Sequence, residues 1–361
     1  MTEIKADNYS IFISKDITKE IKRFLKVNKN RFSKLFVLVD ENTLKYCYPQ
    51  LVSRIPAFEE AEIIEIDSGE QSKNIEVCLQ IWEALGEYNA DRQSLIINLG
   101  GGVIGDMGGF IASVFKRGIG FINIPTTLLS QVDASIGGKT GIDLNNLKNE
   151  IGLFCNPQAV FIDTAFLRTL DERQLLSGFA EIIKHALIAD ADYWKKIKKT
   201  NIHDFEKFDA LIETSLRIKN KFVQEDPFDK GIRKALNFGH TVGHAVETYF
   251  LEQNGQEYFL HGEAIAVGMI CEAYISNRTA KLPDSELKDI TSFILPRFTT
   301  IKLQETALDR IIELMAHDKK NEKEQIHFSL ISSIGKCIIN KTASQDLIKE
   351  SLKYYLEHVK C

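Results

Sequence analysis

Residues 94–106 read Ser-Leu-Ile-Ile-Asn-Leu-Gly-Gly-Gly-Val-Ile-Gly-Asp. Ser94–Leu99 is a short, nearly continuous apolar run, the pattern of a parallel strand buried on both faces. It runs directly into Gly100, Gly102 and Gly105, spaced as G-x-G-x-x-G, and a helical pattern follows over Gly105–Phe115. Closely spaced glycines let backbone approach an anion, and the helix start offers unpaired N–H groups; together they suit a pyrophosphate. A standard dinucleotide fingerprint also has an acidic residue about 20 positions on. That neighbourhood, Ile124–Thr127, holds none. Asp40, which ends an earlier apolar run, is the substitute candidate for ribose hydroxyls.

Working outward, Leu35–Asp40, Glu62–Ile66 and Phe121–Pro125 read as further strands, and Ile75–Glu87 as a helix between two of them. Alternation of this kind implies a mainly parallel, Rossmann-like sheet flanked by helices. Beyond residue 165 the spacing becomes helical over Glu172–Ala189, Asp209–Gln224, Lys234–Phe250, Gly262–Thr279 and Ala307–His317, with one late strand at Gln325–Ser332. The expectation is an α/β domain over residues 1–165 and a mostly α-helical domain over 166–361. Ligands of such proteins commonly sit at a domain cleft.

The 361 residues fit two domains. With 45 basic against 50 acidic residues, the net charge of −5 argues against a nucleic-acid binder. The first ten residues lack a basic segment and an apolar core, so no signal peptide is expected, and no apolar run is long enough to span a bilayer. Six scattered cysteines without a C-x-x-C pair read as reduced thiols of a cytosolic enzyme.

Three groups of residues carry candidate chemistry. Ser135–Gly141 is a second glycine-rich turn around Lys139, followed by Lys148-Asn149, while Arg117 sits between a helix and a strand. Several such donors together suit a small anion. Glu181 and Lys184 lie one turn apart on an otherwise apolar helix, which is expensive unless they bind something. His240 and His244, four residues apart, share a helical face, and His261 opens another helix. Glu and His with an open position form a common catalytic zinc arrangement. The spacing does not say which two histidines bind. Position 241 is Thr, so the H-E-x-x-H metalloprotease pattern is absent.

Seven stretches, GGGVIGDMGGF, FKRG, IPTTLLSQVDASIGGKTGIDL, KNEIGLF, GFAEIIKHA, RKALNFGHTVGHAVE and HGEAIAVGM, with DKK at Asp318–Lys320, resemble in this order the 3-dehydroquinate synthase family of sugar phosphate cyclases. The resemblance implies an NAD-binding α/β domain, a helical zinc domain (cobalt in place of zinc at times) and a homodimer in the cytoplasm. It implies zinc on Glu181, His240 and His261, with His244 facing substrate. It implies NAD contacts from Asp40, Ser68, Gly69, Glu70, Gln71, Ser72 and Lys73; from Gly101, Gly102, Val103, Ile104, Gly105 and Asp106; and from Thr126, Thr127, Lys139, Lys148, Phe166, Leu167, Arg168 and Thr169. Substrate contacts would come from Lys139, Asn149, Lys219, Arg233 and Asn237, from one of Lys319 and Lys320, and from Arg117 toward the partner's site. Asp133, Lys184 and His244 would move protons. Gln174 and Asp171 depart from the family's usual residues, and the segment between His244 and His261 is longer than usual. The implied reaction, in the shikimate pathway to aromatic amino acids, turns 3-deoxy-D-arabino-heptulosonate 7-phosphate into 3-dehydroquinate and phosphate. Another sugar phosphate cyclase, a metal-dependent polyol dehydrogenase and a non-catalytic scaffold are the competing readings.

Overall fold

The structure, a computed structural model, describes all residues except 145–146, 255–258, 301–304, 317–325 and 360–361; at 147, 253–254, 305–306 and 316 only the backbone is described. Lys319 and Lys320, expected to bind phosphate, lie outside the described residues. In chain order the strands are β1 Thr2–Lys5, β2 Ser10–Ser14, β3 Leu35–Asp40, β4 Glu62–Ile66, β5 Leu95–Gly100, β6 Gly120–Pro125, β7 Lys139–Leu144, β8 Leu147–Phe154, β9 Ala159–Asp163, β10 His327–Ser333 and β11 Lys336–Thr342.

The chain forms two units. The first comprises Met1–Asp171 with Asp204–Asn220, and the second Glu172–His203 with Lys221–Cys361. This division differs from one cut at residue 165, because Asp204–Asn220 returns to the first unit. Hydrogen bonds fix it there: Thr2 Oγ1 donates to Glu213 (3.1 Å), Asn220 Nδ2 to the Lys5 carbonyl (3.0 Å) and Thr164 Oγ1 to Asp209 (2.6 Å).

The first unit is built on a seven-stranded sheet of order β1-β2-β9-β6-β5-β3-β4. Every pairing is parallel except β1 with β2. Its core strands are apolar at every other position on both faces. Val37, Val39, Ile97, Leu99, Ile122 and Ile124 enter one buried cluster, while Phe36, Leu38, Ile96 and Phe121 enter the opposite one. Period-2 alternation into two cores is why these strands read as unbroken apolar runs. Helices Thr18–Val27 and Tyr48–Val52 cover the first face; Ile75–Glu87 and Gly102–Val114 cover the second. The strand order reverses between β3 and β5, so Asp40 and Gly100 end the two strands that flank the switch point, where such sheets open a ligand crevice.

Helix Gly102–Val114 lies very close to the sheet. A Cβ on Gly108 would meet Asn98 Oδ1 at 2.0 Å, and one on Gly109 would meet Thr140 Cγ2 at 2.5 Å. β1, β2 and β9 and the hairpin β7–β8 have no counterpart in the sequence reading. The hairpin begins at Lys139, so the glycine turn ends where an antiparallel strand starts.

The second unit is helical, with the pair β10–β11. Its long helices include Glu172–Ala189, His240–Asn254, His261–Thr279 and Gln345–Val359. The strand expected at Gln325–Ser332 is β10; Gln325 lies outside the described residues. One expectation needs correction. Lys234–Phe250 is not one helix: a 3₁₀ turn Ile232–Asn237 stops at Phe238, and a new helix starts at His240. Gly239 makes the break at φ +81°, where a Cβ would also strike Met269 Cγ at 2.6 Å.

Candidate active site

In the first unit Gly101, Gly102, Gly105, Thr126 and Thr127, among the expected cofactor residues, meet at the glycine turn. Gly100, Gly101, Gly102 and Gly105 line a pocket with Asn98, Asn123, Pro125, Ser130 and Ser135. The glycines differ in what holds them. A Cβ on Gly100 would meet Ile104 at 2.5 Å, whereas one on Gly105 would meet nothing within 4 Å. Gly100 therefore answers to packing, while Gly105 leaves room for a ligand to approach the backbone, and the turn fits a dinucleotide phosphate. Thr126 N donates to the Gly100 carbonyl (3.0 Å), and Thr127 Cγ2 would lie 3.1 Å from a Cβ on Gly101. Asp40 caps helix Glu41–Tyr46, accepting from Thr43 N at 2.8 Å.

Next to this turn stands a charged cluster centred on Lys73, which is 4% exposed. Its ammonium meets Asp106 (2.7 Å), Asn149 Oδ1 (2.7 Å) and Glu70 (3.7 Å), and Lys148 lies 3.9 Å from Glu70. Burial works against the Lys73 charge, but Asp106 and Glu70 outweigh it and hold the ammonium up to about 12. Burial likewise lifts the Asp106 carboxyl, with Lys73 opposing. Asp133 pairs with Lys219 at 2.7 Å. Arg117 is exposed, in left-handed backbone at φ +70°, and Lys139 is exposed at the start of β7. Phe166 and Leu167 are buried, Phe166 within a sheet core. Arg168 turns to Glu206 at 3.0 Å, and Thr169 Oγ1 donates to the Phe166 carbonyl. Ser68 donates twice to Glu41; Gly69 takes φ +104°.

In the second unit three histidines converge. The ring centroids of His240, His244 and His261 are 5.1–5.6 Å apart, and one nitrogen of each lies within 4.8 Å of the others. Glu181, wholly buried, brings Oε1 to 3.7 Å from Nε2 of both His240 and His261. Its Oε2 is engaged by Lys184, also buried. His240 Nδ1 is 3.2 Å from the Phe238 carbonyl. A carbonyl only accepts, so Nδ1 carries a proton, and in the neutral ring Nε2 is left as the lone-pair atom on the Glu181 side. Such atoms face each other stably when a proton or a metal cation lies between them, and tetrahedral zinc sets N and O ligands about 3.4 Å apart. The donor set fits zinc. Burial lowers the His261 imidazole, but Glu181 and Glu247 outweigh it and lift it to about 9, so the pocket favours positive charge.

Arg233 is buried, with Nη1 donating to the Pro227 carbonyl (2.7 Å), and Asn237 is half-buried at the end of the 3₁₀ turn. Four structural participants went unread. Glu247 lies 3.6 Å from His261 Nδ1, and Glu272 accepts from the backbone beside His240. Asn98 donates to Asn123 across the sheet at 2.9 Å, below the glycine turn. Both asparagines interrupt apolar strands, a signal visible in the sequence. The glutamates carry no spacing signal, since their partners lie on other elements.

A parallel α/β unit joined to a helical unit is the fold of the sugar phosphate cyclases. The structure matches 2-deoxy-scyllo-inosose synthase complexed with carbaglucose-6-phosphate, NAD+ and Co2+ (TM-score 0.86, 24% identity, 98% of this chain and 100% of that one). It also matches 2-epi-5-epi-valiolone synthase from Streptomyces hygroscopicus subsp. jinggangensis 5008 with NAD+ and Zn2+ bound (TM-score 0.85, 23% identity, 99% of each chain). Within that class, residues 63–177 match the 3-dehydroquinate synthase N-terminal family and 178–321 the C-terminal one. A 3-dehydroquinate synthase of Parabacteroides distasonis is 44% identical over 350 residues, 96% of this chain and 98% of that protein. The chain belongs to the 3-dehydroquinate synthase family.

Proposed function

We propose that the protein converts 3-deoxy-D-arabino-heptulosonate 7-phosphate to 3-dehydroquinate and phosphate. The observation that carries this is the meeting of Glu181 Oε1 with His240 and His261, in a chain of this family that also keeps a glycine turn fit for a dinucleotide. The Gly101–Asp106 turn with Asp40, the Ser68–Lys73 loop and Thr126–Thr127 would hold NAD+, which would supply reversible oxidation at C5 and so make the C6 proton acidic. Glu181, His240 and His261 would hold zinc (or cobalt), which would supply a Lewis acid for developing oxygen charge.

Lys139, Asn149 and Asn237 grip the phosphate, with one of Lys319 and Lys320. Arg233 and Lys219 take the carboxylate, for which a planar guanidinium is well shaped. Fixing both ends orients the middle of the substrate. Lys184, Asp133 and His244 shuttle protons around C4–C5. Arg117 serves the partner subunit of a homodimer, and the enzyme works in the cytoplasm; among the described residues no helix is long and apolar enough to cross a membrane.

The test is phosphate release from this substrate with catalytic NAD+. Many phosphates per NAD+, abolished by chelation and restored by zinc, is the expected result. Release only from a carboxylate-free sugar phosphate moves the protein to a sibling cyclase. NADH accumulation with a polyol and no phosphate release makes it a dehydrogenase.

A further inference from the structure

The helix His261–Thr279 bears on all three proposed metal ligands. His261 is its first residue. A Cβ on Gly262 would sit 2.0 Å from the Ser177 carbonyl, one turn before Glu181 on its own helix. A Cβ on Gly268 would sit 1.9 Å from the Gly239 carbonyl, directly before His240. The helix therefore touches, backbone to backbone, the segments that present the other two ligands.

Farther along it lies Glu272, wholly buried and unused by the proposed chemistry. Its Oε2 accepts from Gly239 N at 2.7 Å and its Oε1 from Val242 N at 3.0 Å. These two amides bracket His240. Val242 N is among the first N–H groups of helix His240–Asn254, which lack partners inside the helix. Both oxygens accept from backbone N–H groups at the positive end of that helix, which favours a negative charge there. Gly239 is held at φ +81° with no space for a side chain, so the turn has one packed arrangement.

We propose that Glu272 is a positioning residue of the metal site: it clamps the Gly239–Val242 turn so that His240 faces Glu181 before any metal arrives. The inference rests on the metal reading above. It predicts a site formed in advance, in which the metal meets ligands already converged. Outer partners of this kind typically change metal affinity by about 10–100-fold when removed.

The test compares zinc affinity by chelator competition in the wild type and in Glu272→Gln, which puts a donor where an acceptor is required. Folding is followed by circular dichroism and by NAD+ binding, which the first unit carries. The expected result is a folded variant with zinc affinity down about 10–100-fold and a shifted visible spectrum when cobalt is bound. Affinity within about twofold of wild type, with an unchanged cobalt spectrum, overturns the proposal. Should Glu272→Gln not fold, hydrogen exchange in the metal-free wild type decides. Slow exchange at Gly239 and Val242 supports a clamp set in advance, and exchange at solvent rates overturns it. A wild type that takes up no zinc sinks the metal reading itself, and the same exchange measurement still judges the clamp.

Discussion

Lys184 pairs with the oxygen of Glu181 that the histidines do not face. Its ammonium engages Oε2, while His240 and His261 both lie 3.7 Å from Oε1. The two oxygens of one buried carboxylate are thus divided between an ammonium and an imidazole pair. A charged pair on an apolar helix reads in the sequence as a sign of bound ligand. The structure adds that the two charges also offset one another, which is how such a pair is tolerated in a core.

From this division follows a prediction for Lys184→Met. In the proposed site the metal is held through Oε1, so zinc should stay near one per chain by elemental analysis. Turnover falls by at least about 100-fold, the usual range for a lost proton-transfer group. Loss of zinc with activity would make Lys184 part of the metal site instead.

His240→Ala and His244→Ala separate the two histidines that spacing cannot. The first should purify with less than about a tenth of a zinc per chain, and the second with about one, since on the proposed ligand set only the first loses one of three protein donors. Stoichiometric zinc in His240→Ala would overturn the assignment. Equal loss in both would mean that all three histidines bind.

The glycines of the turn should part company under mutation. Gly100→Ala forces a methyl to 2.5 Å from Ile104 and should cost about 1–3 kcal/mol of stability in urea unfolding. Gly105→Ala has open space around it and should leave stability unchanged or raise it by up to about 1 kcal/mol. Its methyl would stand where a pyrophosphate approaches, so NAD+ affinity should fall about tenfold or more, or by at least 1.4 kcal/mol. Unchanged NAD+ affinity in Gly105→Ala would move the phosphate away from this turn.

Lys73 supplies a pH signature. Its folded pKa, about 12, lies above the ordinary 10.5, so the stabilisation is fully present below that ordinary value and fades as pH rises through 12. Comparison with the variant isolates the lysine, because the tyrosines and other lysines that titrate in this window are common to both proteins. The stability gap between wild type and Lys73→Met should narrow by on the order of 1–2 kcal/mol between pH 9.5 and 11.5. A gap independent of pH would mean that the variant's cost is steric.

Much of this molecule is legible in its sequence where a local pattern coincides with a tertiary role. β3 and β5 appear as apolar runs because both faces of each are buried, and Glu172–Ala189 shows its periodicity from end to end. Where roles depend on distant partners the reading runs out. β1, four residues long, lies at the sheet edge, where patterning is weak, and β2 beside it has only five residues. The break before His240 is hidden because Lys234–Phe250 keeps helical spacing across Gly239, and only packing against Met269 and Glu272 fixes the turn. Spacing brings His240, His244 and His261 to notice, but Glu247 and Glu272 are visible only once the helices are packed.

The chain leaves its first unit at Asp171, comes back at Asp204 and departs again at Asn220. During synthesis, the amino-terminal sheet must wait for some fifty more residues before its last segment emerges from the ribosome. A fragment ending at Asp171 would expose the Lys5 carbonyl that Asn220 covers and would lack the ammonium that pairs with Asp133. The first unit cannot be isolated by trimming the gene at one point; dissecting it calls for splicing Asp204–Asn220 back on through a linker.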